Sequence, residues 1–485
     1  MTLIINVLNK VLGEITPTAR ELKLINSVID KVKNFLQIKA KELNVNFTKI
    51  EPQGSTGIKQ TQLRGDFDID VFVGLDYENY EPKYRGLSKN KLKKESKKDF
   101  LELCNNWIIK SLPPKEFHNP RLLYAEHPYV TVDYLSADIK TKIDIVLYFD
   151  LDLNYIKNYG PITAVDRSPW HGRFIKDELT PKQKDEVRLL KQFFKACHSY
   201  GDKSAVGKVG FIGYSAELLI FYYKTILNLF HDFDNLWKKP LDYYNRNIKE
   251  LGKVFHFQND YLLIIDPIDK NRNVASAISE RAYKYCNQKI KEFMKDPKID
   301  YFNIVPIPDI DLSNLNDPIL SKIFIVELKN KNKDVHYTIN RDKLYSLGES
   351  IKSNGETEFT HAERFGKIEF EVFHEDENDE YNLALYCDKS EISKTYFRKG
   401  PPIKEKSHAE KFKKKNPHYF EKDNLLWIES EREYTEFLEF LKDFINDRVA
   451  ENLVPINISK SFNVKTASGK KAIYVLKNMV LPFCL

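Results

Sequence analysis

The sequence predicts an α+β protein of several domains: a mixed sheet in the first third, a helical middle, and an α/β final third. Three observations carry this. At 485 residues the chain exceeds what one hydrophobic core serves. Phe67 to Val73 and Thr141 to Tyr148 are short runs of strand character in which acids interrupt apolar residues. Between Pro161 and Leu219 the apolar period becomes helical, and from about Tyr301 strands return, as in Ile323 to Leu328 and Lys367 to Phe373. The expected domains are 1–160, 161–300 and 301–485.

The totals narrow the class. Hydrophobic content of 42% and charged content of 30% fit a globular protein, and no apolar run approaches a membrane span. Met1 to Val7 lacks the basic start and small-residue cleavage site of a signal peptide, so a cytoplasmic protein with no membrane partner is expected. Five cysteines, widely scattered and without a CxxC pair, argue for reduced thiols and against zinc. A net charge of +6 is modest for this length, which shifts attention to local clusters.

The first element is a helix over residues 18–43, with Leu24, Val28, Val32 and Phe35 at helical spacing. Next comes Gln53-Gly54-Ser55-Thr56-Gly57-Ile58-Lys59, a Gly-Ser turn suited to close backbone approach and to a phosphate. It leads to Asp66-Phe67-Asp68-Ile69-Asp70-Val71. In a strand, Asp68 and Asp70 share one face while Phe67, Ile69 and Val71 share the other. Adjacent carboxylates repel, and they make sense around a divalent cation such as Mg²⁺, a hard ion held by carboxylates and substrate phosphates. Asp144 is the lone acid of the apolar run Ile143 to Tyr148, where a buried carboxylate is costly unless paired or metal-bound.

The remaining segments follow in order. The lysine run Lys89 to Lys98 reads as a solvated loop or helix face. The turn Tyr124-Ala125-Glu126-His127-Pro128-Tyr129 holds rings that serve equally to stack a base or to fill a core. Glu186 to Lys195 is an amphipathic helix with a core stripe of Val187, Leu190 and Phe194 and a basic side of Arg188, Lys191 and Lys195. Gly210 to Ile220 reads as a turn entering a buried helix packed through Gly213. Asp266 to Asn273 is a charged turn after a strand, in which Arg272 offers a hydrogen-bonding fork. Phe397 to Lys406 and Lys411 to Asn416 form the densest basic segment, interleaved with aromatics, a candidate footprint for a nucleic-acid backbone.

With these motifs in this order, the chain resembles the archaeal-type (class I) CCA-adding tRNA nucleotidyltransferases of the polymerase-beta superfamily over roughly residues 15–445. The resemblance implies a nucleotidyltransferase head with a polymerase-beta-like mixed sheet, a helical neck, and an α/β body and tail. It implies template-independent addition of CCA to the 3′ end of tRNA from CTP and ATP, with Mg²⁺ on Asp68, Asp70 and Asp144. Gly54, Ser55, Lys59, His171, Lys191 and Tyr200 match triphosphate-binding positions, and Arg272 matches the arginine that reads the incoming base. Tyr124, His127, Arg398, Lys399 and Lys413 are the candidate RNA contacts; a homodimer is a further expectation. Two departures stand out: Asp68 occupies a position often held by Glu, and the family's triphosphate arginine falls on Lys59 or Ile58. The competing readings are a poly(A)-type polymerase or oligonucleotide second-messenger synthase of the same superfamily, and a non-catalytic RNA-binding relative.

Overall fold

The computed structural model describes residues 2–124, 127–136, 139–332, 335–375 and 379–485, with the side chains of Lys89 and Tyr124 outside that description. The chain forms two compact units. The first comprises Met1–Lys203 and Val209–Ile304, so the expected 1–160 and 161–300 domains fall together, and the second comprises Ser204–Lys208 and Val305–Leu485.

The first unit is built on a five-stranded mixed sheet of order β1-β2-β5-β4-β3: β1 (Lys49–Gln53), β2 (Ile69–Leu75), β3 (Phe117–Tyr124), β4 (Pro128–Leu135) and β5 (Lys140–Phe149). β2 runs parallel to β5, and the other pairs are antiparallel. The period of two sorts the two faces. Val71, Val73, Ile143, Ile145 and Leu147 face a core supplied by helix α2 (Ala19–Leu43), which presents Ile25, Val28, Ile29, Val32 and Leu36. Fully burying each such side chain is worth about 1.5–3 kcal/mol. A capping box at Thr18 and Glu21 starts α2, behind the shorter α1 (Thr2–Ile15). The lysine run begins α3 (Lys89–Leu103), which settles it as a helix.

The opposite sheet face carries Phe72, Val146 and Tyr148, joined by Tyr129 and Val165. α4 (Ser168–Glu178) and α6 (Gly213–Tyr223) send Ser168, His171 and Tyr214 to the cleft on this side, α5 (Pro181–Ala196) packs on α6, and Phe293 of α7 (Glu280–Lys295) meets Phe193 of α5. Pro181 at the first turn and a Thr180–Gln183 capping box set the start of α5. α6 buries every residue from Tyr214 to Ile220, one of them an acid, Glu217.

The second unit holds an antiparallel sheet of order β12-β6-β8-β7: β6 (Ile323–Asn330), β7 (Ile368–Glu375), β8 (Glu380–Cys387) and β12 (Leu453–Lys460). Helices α8 (Tyr337–Glu356), α10 (Phe437–Arg448) and α11 (Ala467–Val475) belong to it. A smaller sheet, β10-β11-β9, joins β9 (Thr395–Pro402), β10 (Phe420–Lys422) and β11 (Leu425–Glu431), with α9 (Lys406–Lys415) beside β9. The predicted basic segment is thus a strand and a helix.

Candidate active site

The cleft of the first unit, about 520 Å³, opens on the sheet face that carries Asp70, Phe72, Asp144 and Val146. Asp70 and Asp144 are paired positions of parallel strands β2 and β5. Asp68 lies one residue before β2 rather than on it, and is exposed. Burial first, then the charges of Asp144 and Asp68, push the Asp70 carboxyl up to about 7. Asp68, though exposed, is also raised, by partial loss of solvation on its cleft side and then by the charges of Asp144 and Asp66.

Gly54 closes over this pair. Its φ is +68°, and a Cβ there would come 2.1 Å from Asp70 Oδ2, so only glycine lets the turn lie against the carboxylate. Asp144 Oδ1 and both amide atoms of Gln53 at the cleft, with Thr131 Oγ1 on the neighbouring strand, are buried without a hydrogen-bond partner. Gln53 pairs with Asp70 in the sheet, and Thr131 with Asp144. Asp144 Oδ2 accepts from Lys142 Nζ at 3.1 Å. Among the described residues no three His, Cys, Asp or Glu side chains already converge as a ligand set. The donor chemistry nevertheless fits a hard divalent cation: carboxylate oxygens, one buried and unmatched, beside a backbone turn.

The second wall is a strap tying the Gly-Ser loop to α5 and α6. Arg188 donates to the carbonyls of Gln60 at 2.7 Å and Gln62 at 3.0 Å. Lys191 Nζ reaches Thr61 Oγ1 at 2.8 Å, Thr61 O at 3.2 Å and Glu217 Oε1 at 3.2 Å, and Lys59 Nζ reaches Glu217 Oε2 at 2.7 Å. Burial brings the Lys191 ammonium down to about 8 although Glu217 opposes it. Although burial alone would raise Glu217, Lys59 and Lys191 hold it at about 2. The third group sits at Asp266, wholly buried, whose carboxylate bonds His171, Arg272 and Tyr214.

Two family models match the chain: "tRNA nucleotidyltransferase, second domain" over residues 185–303, and "CCA-adding enzyme, C-terminal domain" over 338–465. The CCA-adding enzyme of Methanocaldococcus jannaschii is 29% identical over 469 residues, covering 94% of this chain and 93% of that protein. The CCA-adding enzyme of Saccharolobus solfataricus is 33% identical over 294 residues, covering 60% of each. This chain belongs to the archaeal CCA-adding tRNA nucleotidyltransferases. Among solved structures, the RNA terminal uridylyl transferase Cid1 overlays with a TM-score of 0.45 at 13% identity, covering 62% of this chain and 98% of that one.

The CCA-adding enzyme fold brings Gly54, Lys59, Asp70, Asp144, His171 and Arg272 to one cleft, and also His127. Ser55 lies in the adjoining turn, its carbonyl accepting from Thr61 N at 2.9 Å. Lys191 is not on a solvent-facing basic side: it is 3% exposed, and all three ammonium protons face protein oxygens. Tyr200 is half-buried, its hydroxyl 3.0 Å from where a Cβ on Gly213 would stand. Of the basic side predicted for α5, Lys195 pairs with Asp66, so Asp66 carries a neutralising partner. His171 is buried, and its Nε2 is engaged by Asp266 at 2.7 Å.

His127 is buried, with Nε2 2.6 Å from Leu147 O and its ring edge-on to Phe100, and burial lowers its pKa to about 4. That ring packs against the sheet. The side chain of Tyr124, with Ala125 and Glu126, lies outside the described residues. In the second unit Arg398 and Lys399 are exposed on β9, and Lys413 of α9 pairs with Glu421 at 2.8 Å. Phe397 and Phe420 are exposed beside them and meet edge-on at 5.4 Å.

Sequence reasoning missed Glu217, Lys142 and Gln53. Glu217 had a readable signal, a lone acid in an apolar helix, the same signal that singled out Asp144.

Proposed function

We propose that this chain adds CCA to the 3′ end of tRNA without a nucleic-acid template, taking CTP and ATP and releasing pyrophosphate. The observation that carries the reading is Asp70 paired with Asp144 under the Gly54 turn, within a chain of this family. Asp68, Asp70 and Asp144 would hold divalent cations, proposed to be Mg²⁺. When bound, these lower the pKa of the attacking hydroxyl and neutralise the triphosphate and its leaving group.

The protein's own groups then position the reactants. The Gly54-Ser55 turn brings backbone close to the triphosphate, and Lys59, held by Glu217 above the Tyr214 ring at 4.8 Å, offers positive charge at the cleft. His171, Lys191 and Tyr200 complete the phosphate side of the proposal, with Lys191 acting by setting the strap through Thr61. Arg272 on the cleft wall is the proposed reader of the base, since a hydrogen-bonding fork rejects mismatched edges better than apolar contact does. Asp144 would donate an oxygen lone pair to the cation on the side of the reacting 3′ end. Exposed Arg398 and Lys399, with Lys413, are the proposed contacts to the tRNA backbone; the shape of the acceptor arm supplies the choice of RNA. His127, which lines the cleft, and Tyr124 remain proposed RNA neighbours, and a homodimer and a cytoplasmic site complete the proposal.

Asp70→Ala tests it. Transfer to tRNA should fall at least about 10³-fold, as expected when a metal-held nucleophile is lost, with tRNA affinity retained. Unchanged transfer would remove Asp70 from the metal site.

A further inference from the structure

Asp266 ends the segment Leu262–Ile265 and begins a tight turn whose ends close on each other: Asp266 N donates to Arg272 O at 3.0 Å, and Arg272 N donates to Asp269 O at 3.0 Å. The carboxylate of Asp266 is 0% exposed and accepts at both oxygens. Oδ1 takes Tyr214 Oη at 3.1 Å and Ile268 N at 2.9 Å; Oδ2 takes His171 Nε2 at 2.7 Å and Arg272 Nη1 at 2.9 Å. Two bonds per oxygen fill its acceptor capacity. The charge is therefore fixed in place, and it fixes what it binds.

Arg272 contrasts with it. Its side chain is 29% exposed, lies 6.0 Å from the Tyr214 ring centroid, and lines the cleft. One of five guanidinium donors is spent on Asp266. A guanidinium can only donate. On their pairing edges C and A share a ring-nitrogen acceptor beside an amino group, where U and G carry a ring N–H beside a carbonyl oxygen, an acceptor that an unrestrained arginine would also reach. Rejection of U and G by such a side chain thus depends on the fork being held at one angle, and holding it beforehand avoids the entropy of immobilising a long side chain on each nucleotide.

We propose that Asp266 is a positioning residue for base selection: by holding Arg272 through Oδ2 it sets the angle at which the incoming nucleotide is read. This rests on the reading of Arg272 as the base contact. His171, on the same oxygen, is tied to the same anchor, so the base side and the phosphate side of the nucleotide pocket share one carboxylate.

The test is a double-mutant cycle on the full chain with tRNA lacking its terminal CCA, reading the ratio of kcat/KM for CTP over UTP. Asp266→Asn should lower this ratio about 10- to 100-fold, the range set by losing a charge-assisted hydrogen bond. In an Arg272→Ala background the same substitution should change the ratio less than about twofold, because the two act as one unit. A retained ratio in Asp266→Asn, with Arg272→Ala losing it, overturns the inference and leaves Arg272 as reader. An equal loss from Asp266→Asn in both backgrounds also overturns it, since Asp266 would then act independently. A retained ratio in Arg272→Ala overturns the base-reading role and this inference together. If Asp266→Asn fails to fold by thermal melting, Tyr214→Phe replaces it: it removes one bond to Oδ1 and keeps the ring. A partial loss of discrimination that vanishes in the Arg272→Ala background supports the inference, and no loss overturns it.

Discussion

Asp70 and Asp144 stand at paired positions of two adjacent parallel strands, and the absent Cβ of Gly54 is what allows backbone against the first of them. The cost of that closeness is carried by the protonation of Asp70.

Burial and its two acidic neighbours put Asp70 at about 7, so much of it is protonated at neutral pH in the cation-free protein. A cation needs the charged form. Well below pH 7 the affinity for Mg²⁺ should therefore weaken by up to about tenfold per pH unit, and binding should release about half a proton at pH 7, rising toward one at pH 6. Calorimetry at pH 6 and 8 in buffers of different ionisation enthalpy checks both; pH-independent binding would contradict the assignment.

The same shift has a sign for stability. The folded pKa lies above the unfolded value of 3.8, so the folded state binds the extra proton, and the contribution of Asp70 to stability declines as pH rises from about 4 to 7. Asp70→Asn should raise Tm by about 2–4 °C at pH 8 in cation-free buffer, and change it little at pH 4. A lower Tm at pH 8 would contradict the repulsion described here.

Gly54→Ala places a methyl group 2.1 Å from Asp70 Oδ2 at a φ of +68°. Transfer should drop by about 10²-fold, with a loss of about 1–2 kcal/mol in unfolding free energy from the strained backbone. Denaturant melts and single-turnover assays separate the two effects.

Glu217 holds Lys59 and Lys191 together from a 1% exposed position. Its folded pKa, about 2, lies below the unfolded value, so its contribution to stability is present above about pH 4.5 and lost as pH falls toward 2. At pH 7, Glu217→Gln leaves the buried Lys191 ammonium and the half-buried Lys59 ammonium without a counter-charge and should cost about 3–5 kcal/mol. A melt within 1 kcal/mol of the parent, by the ~1 kcal/mol scatter of ordinary substitutions, would contradict it.

Reversing charge at Arg398 and Lys399 should weaken binding to tRNA without altering the nucleotide added, and should shallow the dependence of log affinity on log salt by about 0.7–0.9 per lost phosphate contact. An unchanged slope would take β9 out of the RNA surface.

Much of the site is legible in the sequence because period-2 alternation dictates which residues share a sheet face. Asp70 and Asp144 follow from that rule plus the cost of a lone buried acid. The start of β2 at Ile69, leaving Asp68 outside the strand, is a boundary that alternation does not define. The roles of His171 and Lys191 are less legible, because each is bonded to a carboxylate far away in sequence, Asp266 and Glu217, separated by 95 and 26 positions. Helical periodicity assigns Lys191 to a basic side, yet α5 is buried around most of its circumference, so its amphipathic reading fails at that residue. Glu217 shows the opposite error: helix packing through Gly213 is a sufficient account of its segment until the two lysines are seen against it.

The most direct test is product analysis of tRNA that lacks its terminal CCA, incubated with the protein, Mg²⁺, CTP and ATP. The account predicts that CTP alone extends the tRNA by two C, that ATP then adds a single A, and that extension stops there. Open-ended A addition, or U accepted as readily as C, would contradict it.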